Sequence, residues 1–334
     1  MMTPAFIDST ATTKAVASSA ASAAAIVYDL TKGLLATNAN ISPKYFYNTL
    51  GSKLFEAITL LDEYYPTRTE AAIFNANYGN VAHAVVQAGI NNACLIDLGA
   101  GNCAKSAALI PHVKPRQYVP IDISADFLRE ASGNLQANFP ELNIVGVGMD
   151  FSRTLQLPDI VQNHDRIFFY PGSSLGNFSP DDALHFLQQI VHPSQGNASG
   201  LLLGIDLVKD SAVLKAAYDD APGVTAAFNK NVLLNINEML GANFDLRQWR
   251  HVALFNAQES RIEMHLQATA NTTVQWADHA RSFLAGEQIH TENSYKYTLD
   301  SMTALLRQAG FSQVQHWTDA QGWFGVFWAS KSAT

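Results

Sequence analysis

The run Leu95-Ile96-Asp97-Leu98-Gly99-Ala100-Gly101-Asn102-Cys103-Ala104-Lys105 constrains this chain more than any other stretch. An apolar strand ends in an acid, two closely spaced glycines permit a sharp turn and close approach of a ligand, and a helix start follows with unpaired N–H groups. Such a loop belongs to nucleotide-cofactor sites on parallel α/β sheets. Gly99, Gly101 and Ala104 satisfy a dinucleotide pattern, with Asp122 spaced for a ribose. S-adenosylmethionine is the competing cofactor, and Asp97, inside the first strand, suits its methionine end better. Asp150, followed by Phe151, ends a later strand where an adenine amino group and an aromatic ring can meet. Three acids at successive strand ends fit a cationic sulfonium nucleoside better than a dianionic pyrophosphate. Asp122 and Asp150 can each also serve as a cap for the helix that follows.

Short apolar runs at 94–98, 118–121, 144–148, 167–170 and 201–205 alternate with helical stretches, the pattern of a doubly wound parallel sheet. Upstream, Leu50, Leu54, Ile58 and Leu61 share one helical face. Thr67-Arg68-Thr69-Glu70 reads as a capping box opening a helix that carries Ile73, Phe74, Val81 and Val85 and ends at Gly89. After Asp206 the pattern changes to a helix over 223–240 and alternating stretches at 260–266 and 288–297, a mixed insertion. A helix over 299–309 stopped by Gly310, then 314–317 and 325–328 around the turn 319–322, predicts a closing antiparallel hairpin.

With 334 residues the chain can bury a large core without covalent staples. Its cysteines, Cys94 and Cys103, sit in a strand and in the glycine loop, so a disulfide framework is not expected and a reducing cytoplasm is the natural setting. A net charge of -8 without a basic cluster disfavours nucleic-acid and anionic-membrane partners and points to a small molecule. No transmembrane run is visible, and the ten histidines show no metal-ligand spacing. Residues 1–25, rich in Ala, Ser and Thr, read as a flexible lead-in.

Outside the loop, unusual residue choices cluster in Tyr45-Phe46-Tyr47-Asn48-Thr49-Leu50-Gly51-Ser52, Glu63-Tyr64-Tyr65-Pro66-Thr67-Arg68 and Pro171-Gly172-Ser173-Ser174-Leu175-Gly176-Asn177-Phe178. Others are Ala217-Tyr218-Asp219-Asp220, Arg261-Ile262-Glu263-Met264 and Thr291-Glu292-Asn293-Ser294. From about Ser42 to the end, and in the same order, the sequence closely resembles the histidine-specific α-N-methyltransferases of ergothioneine biosynthesis. That family also holds the fungal dimethylallyltryptophan N-methyltransferases.

The resemblance implies a class I S-adenosylmethionine-dependent methyltransferase core, a Rossmann-like doubly wound sheet, over 70–206 and 297–334. A mixed α+β substrate domain is expected from 26–69 and 207–296. On the same basis Asp97, Gly99, Gly101, Lys105, Asp122, Asp150 and Phe151 fall on cofactor positions, and Asn177 and Tyr218 on the amino-acid carboxylate. Glu292 and Ser294 receive the imidazole, with Met264 nearby and Tyr64 on the other side. Tyr47 and Phe55 match aromatic positions near the reacting amine, where a ring face can hold the methylated cation. The implied reaction is trimethylation of the α-amino group of L-histidine to hercynine, through its mono- and dimethyl forms. Methylation of another amino acid such as a tryptophan derivative is the alternative, and Glu292 with Met264 counts against it.

Overall fold

The computed structural model describes residues 4–8, 17–152, 154–161, 164–191 and 198–331. Strand β1 (Ala5–Asp8) and helices α1 (Ala17–Leu35), α2 (Thr49–Ile58) and α3 (Tyr65–Gln87) precede β2 (Cys94–Leu98). Next come α4 (Ala104–Val113), β3 (Gln117–Asp122), α5 (Ala125–Asn138), β4 (Asn143–Gly148), β5 (Arg166–Tyr170), α6 (Pro180–Val191) and β6 (Ser199–Asp206). Helices α7 (Ser211–Ala216) and α8 (Val224–Leu240) lead into β7 (Trp249–Asn256), β8 (Arg261–Ala268), β9 (Thr272–Trp276), β10 (His279–Phe283) and β11 (Gln288–Tyr295). The chain closes with α9 (Leu299–Ala309), β12 (Gln313–Thr318) and β13 (Phe324–Lys331). These elements form two compact units, one from the described parts of Met1–Thr10, Pro66–Val208 and Lys296–Thr334, the other from those of Ala11–Tyr65 and Lys209–Tyr295.

The first unit is an eight-stranded sheet of order β1-β4-β3-β2-β5-β6-β13-β12. Strands β1 to β6 pair in parallel, and β13 inserts antiparallel between β6 and β12. Every residue of β2, β5 and β6 is buried, which explains why they read as continuous apolar runs rather than alternating ones. One face packs Leu95, Ile167, Phe169 and Leu202 against Phe74 and Val81 of α3, Leu109 of α4 and Leu128 of α5. The alternate residues Ile96, Phe168, Leu201 and Leu203 are fully buried as well, so both faces are covered. The predicted closing hairpin is present, and its turn is held by Asp319, whose Oδ1 accepts from the amides of Trp323 and Phe324, each at 2.8 Å. Lys296 and Asp206, both fully buried, form an ion pair at 2.8 Å where the chain leaves and re-enters this unit.

Three sequence expectations need correction. Within 1–25, residues 5–8 form the edge strand β1 and 17–25 belong to α1; residues 1–3 and 9–16 lie outside the described ones. Strand β1 is fixed by parallel pairing with β4 and by the Arg129 guanidinium 4.3 Å over the Phe6 ring. The capping box at 67–70 does not exist: α3 begins at Tyr65, with Pro66 tolerated in its first turn, and Glu70 points inward with 1% exposure. Finally, α2 ends at Ile58, which leaves Leu61 beyond it, and Leu50 in the first turn is half exposed while Gly51, Ser52 and Ile58 face inward.

In the second unit an antiparallel sheet of order β11-β8-β7 packs on α8, and β9 pairs with β10 as a separate hairpin. Along β8 the buried residues Ile262, Met264, Leu266 and Ala268 alternate with Arg261, Glu263 and Gln267, a strand with one apolar face. Asparagines of α8 hold the segment before α2. Asn231 Nδ2 donates to Asn48 Oδ1 at 2.9 Å, and Asn235 Nδ2 donates to the Tyr45 carbonyl at 2.7 Å.

Candidate active site

In the first unit, β2 runs out at Leu98 into a turn where Gly99 (φ 70°) and Gly101 (φ 52°) are left-handed before α4 begins. The amides of Gly99 and Ala100 both donate to the Ile121 carbonyl, at 2.9 and 3.0 Å. This ties the loop to the end of β3. A Cβ on Gly101 would meet nothing within 4 Å, and one on Gly99 would meet only the tip of Phe151, at 4.0 Å. The loop backbone therefore borders open space, with an aromatic ring beside it. Phe151 in turn lies edge-on to Tyr170 and near Phe186, with both ring centroids 5.9 Å away.

The three acids differ in what holds them. Asp97 is fully buried; its Oδ2 accepts from the Tyr118 hydroxyl at 2.7 Å and from the Ser106 hydroxyl, while Oδ1 is buried without a hydrogen-bond partner. Burial pushes its carboxyl up to about 6, against the opposing effect of those two hydrogen bonds. Asp122 accepts from the Gly101 amide at 3.0 Å on one oxygen and from the Ser124 amide at 2.9 Å on the other. Burial raises its pKa too, opposed by these backbone bonds. Asp150 Oδ1 accepts from the amide and hydroxyl of Ser152, at 3.1 and 2.5 Å. Asp122 and Asp150 thus each close a local turn on the amide two residues ahead and neither caps a helix: the N-cap of α5 is Ser124, and among the described residues the element after Asp150 is strand β5. Asp122 in addition braces the glycine loop. Lys105, at the head of α4, pairs through Nζ with Glu70 Oε2 at 2.5 Å. Asn177 ends a single 3₁₀ turn, Ser174–Asn177, after β5.

In the second unit the structure gathers Tyr47, Phe55, Tyr64 and Tyr218 into one aromatic cluster. Ring centroids are 6.0 Å apart for Tyr47 and Phe55, 6.2 Å for Phe55 and Tyr64, and 6.3 Å for Tyr64 and Tyr218. Phe228 of α8 binds the cluster together, 5.8 Å from Tyr47 and 6.0 Å from Phe55. Nothing in the sequence singled it out. The Tyr218 hydroxyl donates to Ser294 Oγ at 2.7 Å.

Glu292 stands directly across the sheet from Met264, and Ser294 across from Ile262, so these four side chains share one face. Glu292 is 7% exposed. The register that puts it there depends on a bulge at Thr291, which keeps the residues before and after it in step with β8. Thr291 Oγ1 bonds Asn229 Oδ1 at 2.8 Å and the Met264 carbonyl at 3.0 Å. The Asn229 amide group reaches His251 Nδ1 at 2.8 Å, and His251 Nε2 lies 2.8 Å from the Tyr218 carbonyl. Burial lowers the His251 pKa, so the neutral ring accepts from Asn229 and donates to Tyr218. Asn229 and His251 escaped the sequence reading because their partners are 22 to 62 residues away.

A parallel sheet closed by an antiparallel strand, with an acid–glycine loop at the end of β2 and acids at the ends of β3 and β4, defines a class I S-adenosylmethionine-dependent methyltransferase. The chain belongs to the family described as histidine-specific methyltransferase, SAM-dependent, whose model matches residues 26–331. It is 40% identical to the histidine N-alpha-methyltransferase of Mycolicibacterium smegmatis over 91% of this chain and 94% of that one. The protein of the same name from Mycobacterium tuberculosis is 39% identical over 91% and 94%. More distantly, the chain is 24% identical to a 4-dimethylallyltryptophan N-methyltransferase of Claviceps purpurea over 86% of its length and 90% of the relative.

The residues present fit this cofactor: open backbone at Gly99 and Gly101, an aromatic ring beside it, a buried acid with one unpartnered oxygen, and a mostly acidic donor set. Among the described residues, no group of three or more His, Cys, Asp or Glu side chains is placed to hold a metal, and no helix is long and apolar enough to cross a membrane.

Proposed function

We propose that this methyltransferase acts on L-histidine, adding three methyl groups in succession to the α-amino nitrogen to give hercynine. The observation that carries this reading is the placement of Glu292 on one sheet face with Met264 and Ser294, joined through Ser294 to Tyr218 and its aromatic cluster. A carboxylate and a hydroxyl there complement an imidazole, whose ring N–H groups need acceptors. An indole offers a single N–H and would leave the carboxylate poorly matched. The 40% identity to a protein named histidine N-alpha-methyltransferase supports the same substrate.

When bound, S-adenosylmethionine supplies an electrophilic methyl group on a sulfonium; the amine lone pair forms the new C–N bond as the S–C bond breaks. The protein's task is alignment. We assign Asp97, Gly99, Gly101, Lys105, Asp122, Asp150 and Phe151 to the cofactor, and Asn177 and Tyr218, as neutral donors, to the substrate carboxylate. Tyr64, Met264, Glu292 and Ser294 are assigned to the side chain. Tyr47 and Phe55 present ring faces to an amine that loses its N–H donors as methyls accumulate. An apolar surround favours the uncharged amine, so its proton can leave to water without a dedicated base. We place the enzyme in the cytoplasm, consistent with two buried free cysteines, Cys94 and Cys103.

Incubation with cofactor and each common amino acid, read by mass spectrometry, tests the reading. Trimethylated histidine as the dominant product is expected. A product from tryptophan, or none from histidine, would overturn it.

A further inference from the structure

We infer that Glu70 is a positioning residue that holds both the cofactor lysine and the loop leading to Asn177, and that it acts through Lys105 and Gly172. This rests on the proposed assignments of Lys105 and Asn177. The carboxylate is buried, and its two oxygens divide the work. Oε2 takes the Lys105 ammonium at 2.5 Å, and Oε1 accepts from the Gly172 amide at 2.7 Å. The partners are 35 and 102 residues away in sequence, at the head of α4 and just past the end of β5. One side chain on α3 thus joins three separate pieces of the first unit.

The surroundings are shaped for this contact. Gly204 of β6 leaves the space that Glu70 enters: a Cβ there would lie 1.8 Å from Oε1. At Gly172 a Cβ would lie 3.1 Å from Lys105 Nζ, so the ammonium rests against bare backbone. Gly172 (φ 79°) and Ser173 (φ 62°) are consecutive left-handed residues, and for Ser173 that conformation is strained. Such a turn persists only when it is tied down. The ties are the Glu70 carboxylate on the Gly172 amide, the Ser173 amide on the Gly204 carbonyl at 3.1 Å, and the Asp206 amide on Ser173 Oγ at 3.0 Å. Asn177 ends the 3₁₀ turn that begins one residue after Ser173.

Lys105 is oriented rather than silenced. Its side chain remains 39% exposed, and Glu70 takes one of three ammonium N–H donors. The others are available to an anionic group, such as the carboxylate of an amino-acid moiety. A lysine without Glu70 would be a flexible point charge that must be ordered each time a ligand binds.

The two halves can be separated. Glu70→Gln keeps a carbonyl oxygen for the Gly172 amide but turns a donor toward Lys105, whereas Glu70→Ala removes both. S-adenosylhomocysteine binding, measured calorimetrically, should weaken about tenfold in Glu70→Gln and in Lys105→Met, with the double variant no worse than Lys105→Met alone. The KM for histidine should stay within about twofold in Glu70→Gln and rise clearly in Glu70→Ala. Even if Glu70→Ala does not fold, the near-isosteric glutamine variant decides. Additive losses in the double variant, an unchanged affinity in Glu70→Gln, or affinity and KM worsening together in Glu70→Gln would overturn the proposal. Failure of the unaltered enzyme to bind S-adenosylhomocysteine would instead overturn the cofactor site itself.

Discussion

The hydroxyl of Tyr218 donates to Ser294 Oγ at 2.7 Å, so a residue just past α7 is latched to strand β11. Each is assigned to a different part of the amino acid, and the bond between them makes those parts interdependent. Tyr218→Phe and Ser294→Ala should each lower kcat/KM for histidine by the equivalent of about 1 to 3 kcal/mol. The double variant should lose less than the sum. S-adenosylhomocysteine affinity should be nearly unchanged in all three. Strict additivity in a double-mutant cycle would show that the latch has no part in substrate binding.

Asp122 braces the glycine loop through the Gly101 amide and is assigned to the cofactor ribose. Asp122→Ala removes a charged acceptor and loosens the loop together, so S-adenosylhomocysteine affinity should fall by more than about tenfold. Asp122→Asn, which can still accept from Gly101, should lose less. Equal affinity in the alanine variant and the unaltered enzyme would remove Asp122 from the cofactor site.

Asp97 makes stability depend on pH. Its carboxyl is raised from the ordinary 3.8 to about 6 in the folded protein, chiefly by burial. The folded state therefore holds this proton more tightly than the unfolded chain. Its contribution is fully present below about pH 4, declines as pH rises through the folded value near 6, and is absent above it. The shift corresponds to about 3 kcal/mol at most. Asp97→Asn keeps an oxygen for Tyr118 and Ser106 but buries an amide N–H₂ in place of the unpartnered Oδ1, which offsets part of the gain. Net stabilisation of about 1 to 2 kcal/mol at pH 7.5, shrinking toward pH 4, is expected from thermal unfolding of the two proteins without cofactor. A variant less stable across the whole range would show that the neutral amide fits worse than the buried charge.

The central sheet was legible because β2, β5 and β6 are buried on both faces and β2 ends in glycines that adopt left-handed backbone. Glu70 was not. A Thr-x-x-Glu spacing carries a strong local signal for a helix start, and only packing shows that the helix began at Tyr65 and turned the glutamate toward Lys105 and Gly172. Similarly, Tyr47, Phe55, Tyr64 and Tyr218 could be named by resemblance, but Phe228, which touches two of them, reads locally as one more apolar position on α8. The bulge at Thr291 was invisible because the partners of its side chain lie on other elements, at Asn229 and the Met264 carbonyl. Local patterns carried the scaffold, and long-range polar contacts set the details around the candidate site.

Glu292 and Met264 face each other across β11 and β8, and together they should set the choice of amino acid. In Glu292→Ala an imidazole loses its acceptor and, when protonated, its counter-charge; an apolar ring loses nothing and gains room. Both changes move preference in one direction, because specificity is a difference between two affinities. Histidine should lose about 10²-fold in kcat/KM, on the scale of a hydrogen bond to a charged group. Activity toward tryptophan or phenylalanine should rise, and Glu292→Ala combined with Met264→Val should go further. Competition between histidine and tryptophan in one reaction, with products separated by mass, measures the ratio directly. If the single variant kept the histidine-to-tryptophan ratio of the unaltered enzyme, Glu292 would be a scaffold carboxylate, and selectivity for the imidazole would have to come from Ser294 and Tyr64.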